Sequence, residues 1–242
     1  MRYLLGIDDT DNLESRGTGH RVRQMADFLG QGGLARPLGI TRHQLLVSPE
    51  IPYTSHNSSA CLVVESTLPS TDALWEAACD FLLRESAPGS DAGLCLAAWG
   101  AVGVSVLAFG TRAKQVVLTQ AEAAETARNQ DLRLIGLTGT HGGIIGALAG
   151  VGLHVGGNDG RYLWLPGLRE LQGKYTVADL CARVPIERVC DADGQDLSPT
   201  ALVDVGEWLR PIRRAGQATL IVEESENDWH IISKDRIKKL SD

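Results

Sequence analysis

The sequence predicts a mixed α/β (α+β) chain, with an N-terminal sheet flanked by helices and a smaller C-terminal α+β subdomain packed on it. Three observations carry this reading. A short apolar run, Arg2–Ile7, stops at an acidic cluster. Segments of helical period then alternate with short apolar runs as far as residue 157. After the turn cluster Gly156-Gly157-Asn158-Asp159-Gly160, short strands recur with turn signals between them, so the chain divides into residues 1–157 and 158–242.

Each element has a local reason. Arg2–Ile7 reads as a strand, and Asp8–Gly19 as a polar loop. Val22, Met25, Ala26 and Leu29 fall at helical spacing within His20–Leu29, and Gly32-Gly33 ends that helix. Strands are expected over Leu38–Val47 and Cys61–Glu65, joined by a polar loop. Ser70–Arg84 is amphipathic, with Ala73, Leu74, Ala77, Phe81 and Leu82 on its apolar face. Ala98–Arg112 reads as a helix despite its glycines. Thr119 and Glu122 form a capping box that starts a helix at Gln120 and carries it to Asn129. Leu132–Leu137 is of strand length and leads through a Gly/Thr/His turn into a helix over Ile144–Val151. In the C-terminal part, strands are expected at Tyr162–Leu165, Arg188–Asp191 and Ala201–Val205. Thr176 and Asp179 cap a short helix, and Gln217–Glu224 with Trp229–Ser233 forms a hairpin. A basic stretch, Lys234–Lys239, follows.

Composition narrows the function. The 242 residues are 43% hydrophobic, enough for a substantial core. A net charge of −7 disfavours broad, non-specific nucleic-acid binding, while leaving room for a local basic groove. No stretch approaches the roughly 20 apolar residues that span a bilayer. Asp8 and Asp9 interrupt the first apolar run too early for a signal peptide, so a cytoplasmic location is expected. Five cysteines without a Cys-x-x-Cys pair read as scattered buried thiols rather than a zinc site or a disulfide framework.

Two glycine-bearing turns carry the candidate chemistry. In Gly6-Ile7-Asp8-Asp9-Thr10-Asp11, three carboxylates crowd the end of a strand, where like charges repel and solvation is poor. Such a cluster is tolerated when a cation, most often Mg²⁺, sits among the carboxylates, which makes Asp8, Asp9 and Asp11 candidate metal ligands. Arg16-Gly17-Thr18-Gly19-His20 follows; Gly17 and Gly19 permit close backbone approach at a helix start, where the dipole favours an anion. The second turn, Gly139-Thr140-His141-Gly142-Gly143, again lies between a strand and a helix, the order a phosphate cradle needs. The sequence contains no Walker A motif, His-x-x-x-His pair or Gly-x-Ser-x-Gly elbow.

Taken together, Gly-Ile-Asp-Asp-Thr-Asp with Arg16-Gly17, then Ile51-Pro52-Tyr53, then the glycine-rich stretch 142–152 resemble the kinase-like domain of the archaeal tRNA-isoleucine agmatinylcytidine synthetases. The resemblance implies ATP and Mg²⁺ as cofactors, with Asp8, Asp9 and Asp11 on the metal and phosphates and Arg16–His20 beside the transferred phosphoryl group. This chain departs from the pattern in three respects. Gly19 and His20 stand where the family has Cys-Thr, so His20 would replace a phosphoryl-accepting threonine or transfer would be direct. Thr54-Ser55-His56-Asn57-Ser58 replaces Lys-Thr-Arg-Gly-Asn, removing two positive charges. With 242 residues, the chain is expected to lack room for the family's additional RNA-binding modules.

The resulting expectation is a stand-alone, ATP- and Mg²⁺-dependent phosphotransferase acting on a small polar substrate, with tRNA disfavoured as a partner and no membrane association. Asp8 and Asp9 anchor the metal and Arg16 offsets charge on the moving group. His20 acts as base or acceptor. Thr10, Gly17, Gly19, Gly139, Thr140, His141, Gly142 and Gly143 contact the nucleotide, and His56 and Asn57 face the substrate. The alternatives are a non-catalytic nucleotide-binding or RNA-associated module and a component of a tRNA-modification enzyme. A homodimer is an arrangement this reading leaves open.

Overall fold

The computed structural model describes residues 1–51, 57–225 and 228–242. In chain order the elements are β1 (Arg2–Asp8), α1 (Thr18–Gln31), β2 (Arg36–Gln44), β3 (Ser58–Glu65), α2 (Asp72–Glu85), β4 (Gly93–Ala98), α3 (Val104–Arg112), α4 (Gln120–Asn129), β5 (Arg133–Gly136) and α5 (Ile144–Gly156). They continue with β6 (Arg161–Trp164), β7 (Lys174–Thr176), α6 (Val177–Arg183), β8 (Arg188–Asp191), β9 (Leu202–Asp204), β10 (Ile212–Arg214), β11 (Gln217–Ser225), β12 (Asp228–Ile231) and α7 (Lys234–Ser241). The strands join in one mixed sheet of order β5-β4-β1-β3-β2-β6-β10-β11-β12-β9-β7, with β8 beside β11. The mixed α/β class read from the sequence is the class of the fold.

The first five strands are antiparallel, with β1 central between β3 and β4. Alternation along β1 sends its side chains to two separate cores. Tyr3, Leu5 and Ile7 pack with Val22, Met25 and Leu29 of α1 and with Leu74, Ala78, Phe81 and Leu82 of α2. Leu4 packs on the other face with Val106 and Phe109 of α3, Ala123 and Ala127 of α4, and Leu148 and Val151 of α5. The periodicity read for α1 is therefore its buried face. On α2, Ala78 is buried where Ala73 was expected; Ala73 is exposed. The capping box at Thr119 is formed in both directions.

One expectation gives way. Ala98–Arg112 is not a continuous helix: Gly93–Ala98 is a central strand, Trp99–Ala101 forms a 3₁₀ turn, and α3 begins only after Gly103. Gly93-Leu94-Cys95-Leu96-Ala97-Ala98 is buried on both faces, so it lacks the alternation that marks a half-exposed strand. Cys61, Cys95 and Cys190 are buried and all five thiols are free, but Cys181 is exposed and Cys79 half-buried. Among the described residues, no helix is long and apolar enough to cross a membrane.

Two further cores, built from residues 162–237, lie beyond the turn at 156–160. The sheet nevertheless continues across that turn, because β6 pairs with β2. A buried polar seam ties the two parts. Thr41 Oγ1 is hydrogen-bonded to His43 Nε2 and to His154 Nδ1, both at 2.8 Å, and His43 Nδ1 meets Asp159 Oδ1 at 2.8 Å. Arg213 Nε donates to the His154 carbonyl at 2.6 Å, and its Nη1 to the Tyr162 hydroxyl at 3.0 Å. Burial lowers the pKa of both histidines, favouring their neutral forms.

Helix α5 lies against the sheet at glycine contacts. A Cβ placed on Gly6 of β1 would stand 1.9 Å from the Ala147 carbonyl oxygen, a backbone atom that no rotamer change can move. Gly6→Ala is therefore expected to lower stability by about 3 kcal/mol through overpacking, read as a lower denaturation midpoint at constant m value.

Candidate active site

Asp8 closes β1, and its carboxylate lies against the first turn of α5. A Cβ on Gly146 would sit 1.7 Å from Asp8 Oδ2, so glycine at this position admits the acid. Asp9 follows in the left-handed region at φ 52, a conformation aspartate tolerates better than most side chains. This residue breaks the strand's strict alternation, and Asp8 and Asp9 line the same cavity instead of opposite faces. The cavity, about 280 Å³, is also lined by Asp91, Thr140, Gly142 and Gly143, and on its apolar side by Leu45, Val116, Val117, Leu118 and Ile145.

Asp91, just before β4, was not anticipated. It accepts hydrogen bonds from the Thr140 backbone N–H at 2.5 Å and from the Thr140 hydroxyl at 2.8 Å, pinning the second glycine turn over the first. Recognising Gly93–Ala98 as a strand would have exposed the signal: a carboxylate at the mouth of a central strand next to β1. Burial raises the pKa of Asp8 well above the ordinary carboxylate range, with the charges of Asp9 and Asp11 adding to the effect. Asp9 is pushed up to about 6, first by burial and then by the Asp91 and Asp11 carboxylates. Among the described residues, no ion pair includes Asp8, Asp9 or Asp91. These half-buried, mutually repelling acids fit a divalent cation electrostatically. Among the described residues, no three His, Cys, Asp or Glu side chains form a ready-made metal cluster. A cation here would take further ligands from phosphate oxygens and water, as Mg²⁺ commonly does.

The other predicted residues are distributed around this cavity. Asp11 Oδ1 accepts from the Thr18 N–H at 3.1 Å and from the Thr18 hydroxyl at 2.8 Å, which satisfies an orphan donor at the start of α1. Thr10 is buried and bonds to the same Thr18 hydroxyl. Asp11, Gly17, Thr18 and Gly19 line a second cavity of about 200 Å³ with Arg42 and Ser59. Arg16 and His20 line a third. Asn57 reaches the first cavity, although its side-chain amide donates to the Leu46 carbonyl at 2.7 Å. Gly139, at φ 56, and His141, at φ 68, shape the second turn without lining that cavity. His56 lies outside the described residues.

No family profile and no curated protein match this chain. Solved structures do. A tRNA fluorescent labeling enzyme matches with a TM-score of 0.55 at 24% identity, over 63% of this chain and 36% of that one. Apo TiaS, a tRNA agmatidine synthetase, matches with a TM-score of 0.54 at 22% identity, over 63% of this chain and 35% of that one. The complex of TiaS with its tRNA and ATP matches with a TM-score of 0.55 at 24% identity, over 63% and 36% respectively. The chain thus matches about a third of the length of these proteins and shares with TiaS the fold of that part.

Proposed function

We propose that this chain is an ATP-using enzyme that activates a group on an RNA substrate of the tRNA type. The observation that carries the reading is the first cavity. The half-buried acids Asp8, Asp9 and Asp91 have no ion-pair partner among the described residues, and they lie beside the glycine start of α5 and under an apolar wall. Leu45, Val116, Val117, Leu118 and Ile145 would receive the base, and the Gly142–Gly143 backbone would approach the phosphates at the helix start. Asp8 and Asp9 would hold Mg²⁺, which when bound neutralises charge on the phosphate chain, while the Asp91 carboxylate, bonded to Thr140, adds negative charge beside them. The solved complex of TiaS with tRNA and ATP supports both substrates by its likeness in fold.

The acceptor side follows from the loop that ends at α1. Gly17–Gly19 face the second cavity, where Ser59 Oγ is buried without a hydrogen-bond partner among the described residues and Arg42 Nη1, 3.8 Å from Asp242, makes no hydrogen bond among them; both could orient an incoming polar group. His20 is held toward its neutral form first by burial and then by Arg16, Arg23 and Arg21, and a neutral imidazole accepts a proton. Phosphoryl transfer needs little more than such positioning and charge compensation. A small polar acceptor is the second reading, favoured by the two positive charges missing at Thr54–His56. ATP turnover with tRNA transcripts, set against a panel of small hydroxyl compounds, separates the two.

ATP with Mg²⁺ is expected to raise the melting temperature, and ATP without it to do so far less. Asp8→Asn with Asp9→Asn should abolish the Mg²⁺-dependent shift while the apo protein stays folded, because the substitution removes buried like charges. Persistence of the shift in that variant would refute the metal–phosphate reading.

The same acids predict a pH signature in the apo protein. The folded state holds the Asp9 proton up to about pH 6, against an ordinary value of 3.8. Between these limits the native state binds more protons than the unfolded chain, so the Asp9 contribution to stability falls as pH rises. Denaturation of wild type and Asp9→Asn from pH 4 to pH 8 should show the variant gaining relative stability through that window and holding it above pH 7.

A further inference from the structure

A third cavity, of about 290 Å³, is lined by Arg16, His20, Arg23, Asp27, Trp164 and Arg169. The cations come from separate parts of the chain: Arg16 from the loop after β1, Arg23 from α1, and Arg169 from the loop after β6. Arg16 and Arg169 lie close enough to Arg23 to disfavour its charge. The Arg23 guanidinium is pushed down by burial, then by Arg169 and Arg16. Arg210, beside them, is lowered to about 10 by burial, then by Arg169 and Arg23. Asp27 attracts Arg23, but among the described residues no ion pair includes Arg16, Arg23, Arg169 or Arg210. In a chain of net charge −7, a cavity whose described lining sets three arginines against one carboxylate, Asp27, is a local cationic site.

Position supplies the second argument. Gly17, Thr18 and Gly19 wall the second cavity, whereas Arg16 and His20 from the same loop wall the third. Asn57 lines the first cavity and Ser58 the second. Neighbouring residues of the same segments therefore line the first cavity, with its half-buried acids, and the second, with Arg42 and Ser59, and again the second and the third, with the arginines. Trp164 adds an aromatic face among the guanidinium groups, a combination suited to a nucleotide strand.

We propose that the Arg16–Arg23–Arg169 cavity grips backbone phosphates of the RNA acceptor and so delivers the reacting nucleotide to the middle cavity. The proposal rests on the RNA reading above and assigns that substrate a surface separate from the nucleotide cavity. Arginine suits this task because its planar fork pairs with two phosphate oxygens at once.

The test uses the full chain and an Arg23→Gln, Arg169→Gln double variant. Binding of a fluorescein-labelled single-stranded RNA 12-mer and of a tRNA transcript is read by anisotropy across a salt series. The variant is expected to bind the 12-mer at least about tenfold more weakly, with a salt slope shallower by about 1.4, that is about 0.7 for each phosphate no longer neutralised. Equal affinity and slope in the two proteins, or no RNA binding by wild type at low salt, would overturn the proposal. Inorganic phosphate and ribose 5-phosphate form the other arm: a melting shift from either that is abolished in the variant, without RNA binding, assigns the cavity to a small phosphorylated molecule and also overturns it. The Mg²⁺·ATP melting shift is measured in parallel. Its absence from wild type counts against the nucleotide reading, and its persistence in the double variant shows that weakened RNA binding does not come from unfolding.

Discussion

The contact on which the rest depends is the close seating of α5 against the centre of the sheet. Side chains at Gly6 and Gly146 would collide with the Ala147 carbonyl and with the Asp8 carboxylate, respectively. Removing those side chains brings the helix within backbone contact of β1, and the same contact places the first turn of α5 against Asp8. A helix held at ordinary side-chain distance would leave this carboxylate in open solvent with a normal pKa. Seated closely, it buries the acid, and a cavity with charged and glycine walls results.

That seating explains why two turns distant in sequence act together. Asp91, at the entrance to β4, anchors Thr140 through two hydrogen bonds and repels Asp9. It links the acidic strand end to the glycine turn both mechanically and electrostatically. The acids gain little from neighbouring cations: Arg42 lowers the Asp8 pKa only as the last of its influences, and Arg42 Nη1 lies nearer Asp242, at 3.8 Å. A site that keeps carboxylates half-buried, adjacent and, among the described residues, without ion-pair partners gives up stability at neutral pH. Under the proposed function, a bound metal–nucleotide complex would restore it.

The arginine cavity alters the expectation drawn from net charge. A chain of −7 reads as a poor partner for RNA, but net charge is a sum and recognition depends on distribution. Many of the other arginines and lysines are engaged in local pairs such as Arg36–Glu65, Arg112–Glu122 and Arg188–Asp196. Those at 16, 23 and 169 stand apart from such pairs among the described residues and close together. The departure from the resembled family in the Arg16–His20 loop acquires a setting as well, because His20 lies among these arginines.

The sequence by itself determined whatever depends on near neighbours. The amphipathic face of α1, the capping box of α4, the turn at 156–160 and the acidic end of β1 all follow from spacing within a few residues, and each stands in the structure close to where the spacing puts it. Only tertiary structure decided the rest. The strand over Gly93–Ala98 lacks alternation because both its faces are covered. Asp91 joins Asp9 through strand pairing across more than 80 positions, and Arg169 meets Arg23 through the continuation of the sheet from β2 into β6. Asp11 has the residue type of a metal ligand but is engaged at the start of α1. The reason is physical: local patterns encode which backbone hydrogen bonds and which apolar faces an element offers, whereas the partners of a buried charge are chosen by how those faces pack.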